Sequence, residues 1–306
     1  MKILIDIGHP AHVHYFRNFI HIMKGKGHEF LITARNRSMI HYLLKHYDIP
    51  FYDRGKGKNS VIGKLLYMVY ADLNILKKAL SFKPDFFISF ASPYAALVSW
   101  LLHKPHIVLD DTEHAKFGHM FYKPFSSVFL NPSCFYKHFG KKQIFFNSLT
   151  ECFYLHKSFF TPNKNIYQLL GLSEYERYVI LRFVSWQANH DLGHSGLNKE
   201  TKLKLVEFLS MNYKVFISPE SELNNDYLDK YIIKIPPEYM HDALFFADFF
   251  ITESGTMASE AAVLGTPVIY VNSLPLMGYL KEEQQNGLLF HFTNSSGVIE
   301  LSLIHI

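Results

Sequence analysis

Short apolar runs alternate with segments whose apolar residues recur at helical spacing along most of the chain. KILIDIG, residues 2–8, predicts a buried strand ending at a glycine. A helical pattern follows from Val13 to Lys26, and HEFLITAR is a second strand. Asn36 to Tyr47 predicts a helix, and IPFYDRG a weaker strand that leads into a basic, glycine-containing loop, Arg54 to Lys58. Ile62 to Phe82 predicts a long helix, PDFFISF a strand, Pro93 to Leu102 a helix, and PHIVLDD another strand. The strands are apolar throughout and alternate with helices, which predicts βαβ units and a parallel sheet covered on both faces.

The pattern restarts after a connection near Asn147 to Leu172. YVILRFV predicts a strand, Lys199 to Asn212 a helix, YKVFISPE a strand and YIIKIP another. HDALFFAD predicts a short helix, FFITES a strand, Gly255 to Leu264 a helix ended by Gly265 in a left-handed cap, and PVIYVN a strand. The reading is therefore α/β with two Rossmann-like domains, residues 1–160 and 161–306.

Composition agrees with that division. The chain has 306 residues, 48% of them hydrophobic and 19% charged, which suits a folded protein of two domains at about 150 residues each. Its two cysteines, Cys134 and Cys152, exclude a disulfide scaffold and CxxC metal sites. They favour a reducing, cytoplasmic setting. The charge balance of 31 − 27 = +4 is too small and too evenly spread for a nucleic-acid footprint. Met1-Lys2 leads straight into the first strand, with no basic segment followed by a separate apolar one, so no signal peptide is expected. The longest apolar stretch, Phe86 to Leu102, contains Ser89, Ser92, Pro93 and Ser99 and falls short of a spanning helix. Peripheral membrane contact stays open. The closing LSLIHI resembles translated adapter sequence, so the native C-terminus is expected to be truncated near Glu300.

In open α/β sheets, ligands sit outside the carboxyl ends of the strands, so the residues that follow each strand are the candidates. After the first strand, Gly8 permits a tight turn, and His9, His12 and His14 open a helix. Ligand binding or acid/base work, a structural role, and a metal site are the alternatives. The metal site lacks a nearby acid and the HExxH spacing. In DDTEHA, Asp110, Asp111, Glu113 and His114 crowd the end of a strand. Like charges that close raise one another's pKa, as a general acid or base requires, while helix capping alone would account for one acid.

The segment RFVSWQANHDLGHSGL contributes Arg182, His194, Ser195 and Gly196 to a polar loop able to receive a diphosphate on backbone amides, without a Walker or GxGxxG pattern. In FFITESGTMASEAAVLGTPVIYV, Glu253 ends a strand, and Ser254, Gly255 and Thr256 open a helix suited to phosphate. Glu260, further along, offers two carboxylate oxygens to a ribose diol.

That segment, through Glu253, Ser254, Gly255, Glu260, Gly265 and Pro267, resembles the nucleotide-sugar site of GT-B glycosyltransferases and of UDP-N-acetylglucosamine 2-epimerases. DIGHPAHVH, DDTEHA and ESGTMASEAAVLGTPVIY together resemble a prokaryotic family, domain of unknown function three-five-four, grouped with GT-B proteins. The resemblance implies an N-terminal acceptor-side domain facing a C-terminal nucleotide-sugar domain across a cleft. It implies Glu260 on the ribose, Ser254 to Thr256 with His194 to Gly196 on the diphosphate, and His9 or His12 as base. The GGxxGH of the transferases is missing. The expected function is transfer from a nucleotide sugar, UDP-linked, to an acceptor that is unidentified, a lipid-linked one or a polysaccharide among the options, with no separate cofactor. Epimerisation of the sugar nucleotide, or binding without turnover, are the alternatives. Roles in surface-polysaccharide or glycoconjugate biosynthesis are the expected setting.

Overall fold

In the computed structural model, residues 1–57, 60–184, 196–220 and 226–299 are described. His194 and Ser195 lie outside them. The chain divides into two units, Met1–Phe159 and Phe160–Ile306.

The first unit runs β1 (Lys2–Ile7), α1 (Pro10–Gly25), β2 (Glu29–Ala34), α2 (Ser38–His46), β3 (Tyr52–Asp53), α3 (Val61–Phe82), β4 (Phe86–Phe90), α4 (Pro93–Leu101), β5 (His106–Leu109), α5 (Lys116–Tyr122), β6 (Val128–Pro132), β7 (Gln143–Phe146) and α6 (Cys152–Leu155). Its strands form one parallel sheet in the order β3-β2-β1-β4-β5-β6-β7. From β1 the chain steps outward to β2 and β3, then returns along α3 to β4 and steps the other way. The direction reverses between β1 and β4, where an open sheet leaves a crevice. β1 and β4 are buried at every position after their first because helices cover both faces.

The second unit runs α7 (Asn165–Leu169), β8 (Tyr178–Phe183), α8 (Lys199–Leu209), β9 (Lys214–Pro219), α9 (Asp226–Asp229), α10 (Met240–Phe246), β10 (Phe250–Thr252), α11 (Gly255–Leu264), β11 (Val268–Val271), α12 (Gly278–Gln285) and β12 (Leu289–Phe292). Its sheet order is β12-β11-β10-β8-β9, all parallel. Here the reversal falls between β8 and β10. One face is packed by Leu205, Val206 and Leu209 of α8 against Val179, Leu181 and Ile217.

Several expectations change. α1 begins at Pro10 rather than Val13: His9 is its N-cap, and its Nδ1 accepts from the Ala11 amide. Proline at the first helical position costs no intrahelical bond. Gly8 is outside the left-handed region, and a Cβ there would rest 3.5 Å from the Arg54 guanidinium, so the turn itself does not demand glycine. YIIKIP is not a strand. It touches β9 through a single bridge, Ile217 to Ile232, and its last residue, Pro236, and Pro237 after it cannot donate to a ladder. Gly265 does adopt the left-handed cap, at φ +88°.

Candidate functional site

In the second unit, Ser254 caps α11, and its hydroxyl accepts from the Met257 amide at 3.5 Å. The first amides of a helix have no intrahelical acceptor, and those of Gly255 and Thr256 meet no acceptor among the described residues. They stand at the carboxyl edge of β10, beside β8, at the reversal point. The Cβ position of Gly255 is hemmed in by Met277 Cε at 3.0 Å and Tyr279 Oη at 3.2 Å, so a side chain there needs one of these neighbours to give by a few tenths of an ångström.

Glu260 is buried in α11, and its Oε1 lies 3.1 Å from His241 Nε2 at the start of α10. Arg182, on β8 opposite Thr252, donates through Nη1 to the Ser218 hydroxyl at 2.9 Å and the Ser218 carbonyl at 3.2 Å. Its buried Nε has no partner among the described residues. Burial lowers the basicity of this guanidinium, while the charges of Glu220 and Glu260 oppose the shift. A half-buried cation beside Glu260 and two uncommitted amides make an anion-accepting corner next to a carboxylate.

Glu253 takes a different position. Its carboxylate is fully buried and accepts from the amides of Val184 at 2.8 Å and Leu197 at 2.7 Å, and from Lys202 Nζ at 3.2 Å. Val184 and Leu197 flank residues 185–195, which lie outside the described residues. Glu253 therefore ties both flanks to the end of β10, with its oxygens turned toward backbone donors. Gly196 immediately precedes Leu197.

In the first unit, the GHPAH residues lie at the end of β1, at the other reversal point. The Gly8 amide donates to His12 Nδ1 at 3.3 Å. A ring nitrogen that accepts is unprotonated, so neutral His12 carries its proton on Nε2. Burial holds His12 well below the usual histidine range, with His9 and Arg54 adding to the effect. The ring packs on Phe90 and Tyr15. His12 is thus a neutral Nε2–H donor, whereas His9 is exposed on the turn. His14 is buried against Tyr154. At the facing end of β4, Ala91 holds φ +48°, a left-handed conformation rare for alanine and often found where a site fixes the backbone.

The DDTEHA residues follow β5, with β4 between them and β1. Asp110 is buried and already committed. It accepts from the Tyr122 hydroxyl and from the Thr112 amide at 2.9 Å, and His119 Nε2, hydrogen-bonded to the Thr112 carbonyl at 3.1 Å, lies 3.0 Å from its carboxylate. Asp111 accepts from the Thr150 hydroxyl at 2.7 Å and the Thr112 hydroxyl at 3.1 Å. Burial pushes its carboxyl up to about 7, and Asp110 and Glu113 push in the same direction against the two hydroxyls. Glu113 accepts from the Tyr136 amide at 3.3 Å, and His114 is half-buried just before α5. Asp111 thereby has the protonation equilibrium that general acid or base work at neutral pH needs.

Three further residues join these corners. Asp6 at the end of β1 is fully buried and accepts from Arg54 Nε at 2.8 Å, Thr33 at 2.8 Å and Ser92 at 2.6 Å. Arg54 lies over the Tyr94 ring at 4.3 Å and was legible only as part of a basic loop. His241 carried no motif of its own. Among the described residues, no cluster of His, Cys, Asp and Glu is arranged to hold a metal ion, and no helix is long and apolar enough to cross a membrane.

Comparison with solved structures agrees with the fold. UDP-GlcNAc 2-epimerase from Neisseria meningitidis, solved bound to UDP-GlcNAc, matches at TM-score 0.73 and 15% identity, over 99% of this chain and 91% of that one. The Methanocaldococcus jannaschii UDP-GlcNAc 2-epimerase in complex with UDP-GlcNAc and UDP matches at 0.70 and 16%, over 100% and 92%. The spinosyn rhamnosyltransferase SpnG, complexed with spinosyn aglycone, matches at 0.58 and 14%, over 95% and 86%. Both neighbour types are GT-B proteins with two parallel-sheet domains. Among curated sequences, the uncharacterized protein MJ0665 of Methanocaldococcus jannaschii is 24% identical over 98% of this chain and 90% of its own length. Residues 1–306 match the family described as protein of unknown function DUF354, and the chain belongs to that family.

Proposed function

We propose that this protein is a GT-B-type glycosyltransferase that uses a nucleotide sugar, UDP-linked, as donor. The observation that carries the reading is the corner in the second unit: two first-turn amides of α11 without an acceptor among the described residues, a half-buried Arg182 whose buried Nε lacks one, and Glu260 behind them. The Gly255 and Thr256 amides hold the pyrophosphate, Arg182 offsets its charge, and Glu260 takes the ribose diol. Glu260 lies about 9 Å beyond Ser254 at ~1.5 Å per helical residue, a separation that suits the distance from pyrophosphate to ribose. As the sugar–phosphate bond breaks, the preorganised donors stabilise the leaving diphosphate. The acceptor hydroxyl attacks the anomeric carbon and gives its proton to a general base; in the first unit Asp111 has the protonation equilibrium for that role, and His12 is an Nε2–H donor.

A second reading is epimerisation of the same donor. It is supported by the higher TM-scores of the two 2-epimerases, 0.73 and 0.70 against 0.58 for the rhamnosyltransferase. The test incubates the protein with UDP-sugars, with and without candidate acceptors, and follows the sugar by NMR and free UDP by chromatography. Acceptor-dependent UDP release supports transfer. Acceptor-independent inversion at one sugar carbon supports epimerisation. Tight UDP binding with neither reaction leaves a binding protein and refutes both.

A further inference from the structure

The long helix α3 has two apolar faces. Gly63, Tyr67, Ala71, Ile75 and Ala79, spaced by four, are buried against the sheet. On the other side Ile62, Leu65, Leu66, Val69, Tyr70 and Leu73 form a second stripe, each 57–73% exposed. α3 packs against α4, and α4 against α5. These neighbours extend the exposed surface through Trp100 and Leu101 at the end of α4 and through Phe117 and Met120 on α5, Phe117 being 78% exposed. Single exposed apolar residues need no explanation, but six on one face of a helix, with exposed aromatic residues on the helices packed beside it, mark an interaction surface.

Charge selects the occupant. The three helices and the turn after α5 carry Lys64, Lys77, Lys78, Lys116 and Lys123 and one carboxylate, Asp72. Burial pushes the Asp72 carboxyl up to about 7, so even this acid offsets little of the positive charge. A second copy docking here would meet the same patch across a two-fold axis, which sets lysines against lysines. An anionic bilayer supplies the missing negative charge. It also accepts leucines and aromatic rings at the headgroup boundary, where tryptophan and tyrosine are favoured. α3 itself is too polar to span a membrane, so it lies along the surface.

We propose that the α3–α4–α5 face of the first unit docks on the surface of an anionic phospholipid bilayer, with the α3 stripe, Trp100 and Phe117 entering the headgroup region and the lysines meeting the lipid phosphates. This docking stands independently of the reaction assigned above. It is tested by flotation of the full chain with vesicles of phosphatidylglycerol and phosphatidylcholine, against phosphatidylcholine alone. The protein floats with the anionic vesicles, less so as salt rises. Each surface lysine adds about fivefold to affinity for an anionic surface, so Lys77→Glu/Lys78→Glu lowers binding at least tenfold. Leu66→Glu lowers it independently. If Leu66→Glu does not fold, the Trp186→Phe chain supplies the second readout: the emission of Trp100 shifts to the blue on anionic vesicles and is quenched by brominated lipid. Absence of flotation overturns the proposal, as does binding that neither charge reversal nor salt weakens. A dimer in analytical ultracentrifugation that Leu66→Glu dissociates also overturns it, because the face then belongs to a second copy.

Discussion

Glu253→Gln separates the two roles a carboxylate could have at the end of β10. In the structure its oxygens receive the Val184 amide at 2.8 Å, the Leu197 amide at 2.7 Å and Lys202 at 3.2 Å, in a side chain with no exposure. Glutamine keeps the shape but replaces one oxygen with an NH2 group, so a donor faces a donor. Leaving a buried donor unsatisfied costs about 1–3 kcal/mol. Removing one partner of a buried ion pair costs about 3–5 kcal/mol, discounted here because the Lys202 side chain keeps 18% of its surface in water. The expected loss is about 3 kcal/mol, a large part of the ~5–15 kcal/mol that holds a domain folded. Urea denaturation measures it, and hydrogen exchange locates it: protection falls first at the Val184 and Leu197 amides. Lys202→Met, which removes only the cation, costs less and leaves those amides protected. A Glu253→Gln protein with wild-type stability and unchanged exchange at both amides refutes the assignment of Glu253 as the tie between Val184 and Leu197.

The Asp111 carboxyl sits at about 7 in the folded chain against an ordinary 3.8. Between those values the folded state holds a proton that the unfolded state releases, so stability falls as pH rises from about 4 to 7, by at most about 1.4 kcal/mol per unit. Asp111→Asn flattens that slope in urea midpoints measured across the window; an unchanged slope contradicts the assignment. Arg54→Met strands Asp6 in the interior with only the Thr33 and Ser92 hydroxyls, and costs about 3–5 kcal/mol in thermal unfolding. Adding Asp6→Asn recovers part of the loss, and a neutral Arg54→Met shows the pair carries no structural role. Gly255→Ala drives a methyl to 3.0 Å from Met277 and 3.2 Å from Tyr279, costing about 1–3 kcal/mol. Tyr279→Phe, which removes the nearer oxygen, restores part of the melting temperature, and no loss in Gly255→Ala means that Met277 simply moves aside.

The central strands of both units were legible because parallel strands buried on two faces read as unbroken apolar runs, as in KILIDI and FFISF. β7, QIFF, is half-exposed at a sheet edge, and its short mixed pattern carried no strand signal. YIIKIP failed in the opposite sense: its apolar residues fill space beside β9, which it touches through one bridge, and its closing proline cannot donate to a ladder. At the sites, sequence gave residue types and order. It could not give partners. Asp110, Asp111 and Glu113 are adjacent in the chain, yet only the structure separates Asp110, held by Tyr122 and His119, from Asp111, raised toward neutrality by burial. Asp6 with Arg54, and His241 with Glu260, are pairs made by packing between elements distant in the chain, so no local motif marks them.

The claim on which the enzymatic reading rests is that the amides opening α11 receive a pyrophosphate while Glu260 holds the ribose. Amide-resolved NMR of the full chain titrated with UDP tests it directly. The account predicts saturable shifts at Gly255 and Thr256, with affinity at least tenfold weaker in Glu260→Gln. UDP that saturates the protein without moving either amide, or binds Glu260→Gln as tightly as the parent chain, contradicts it.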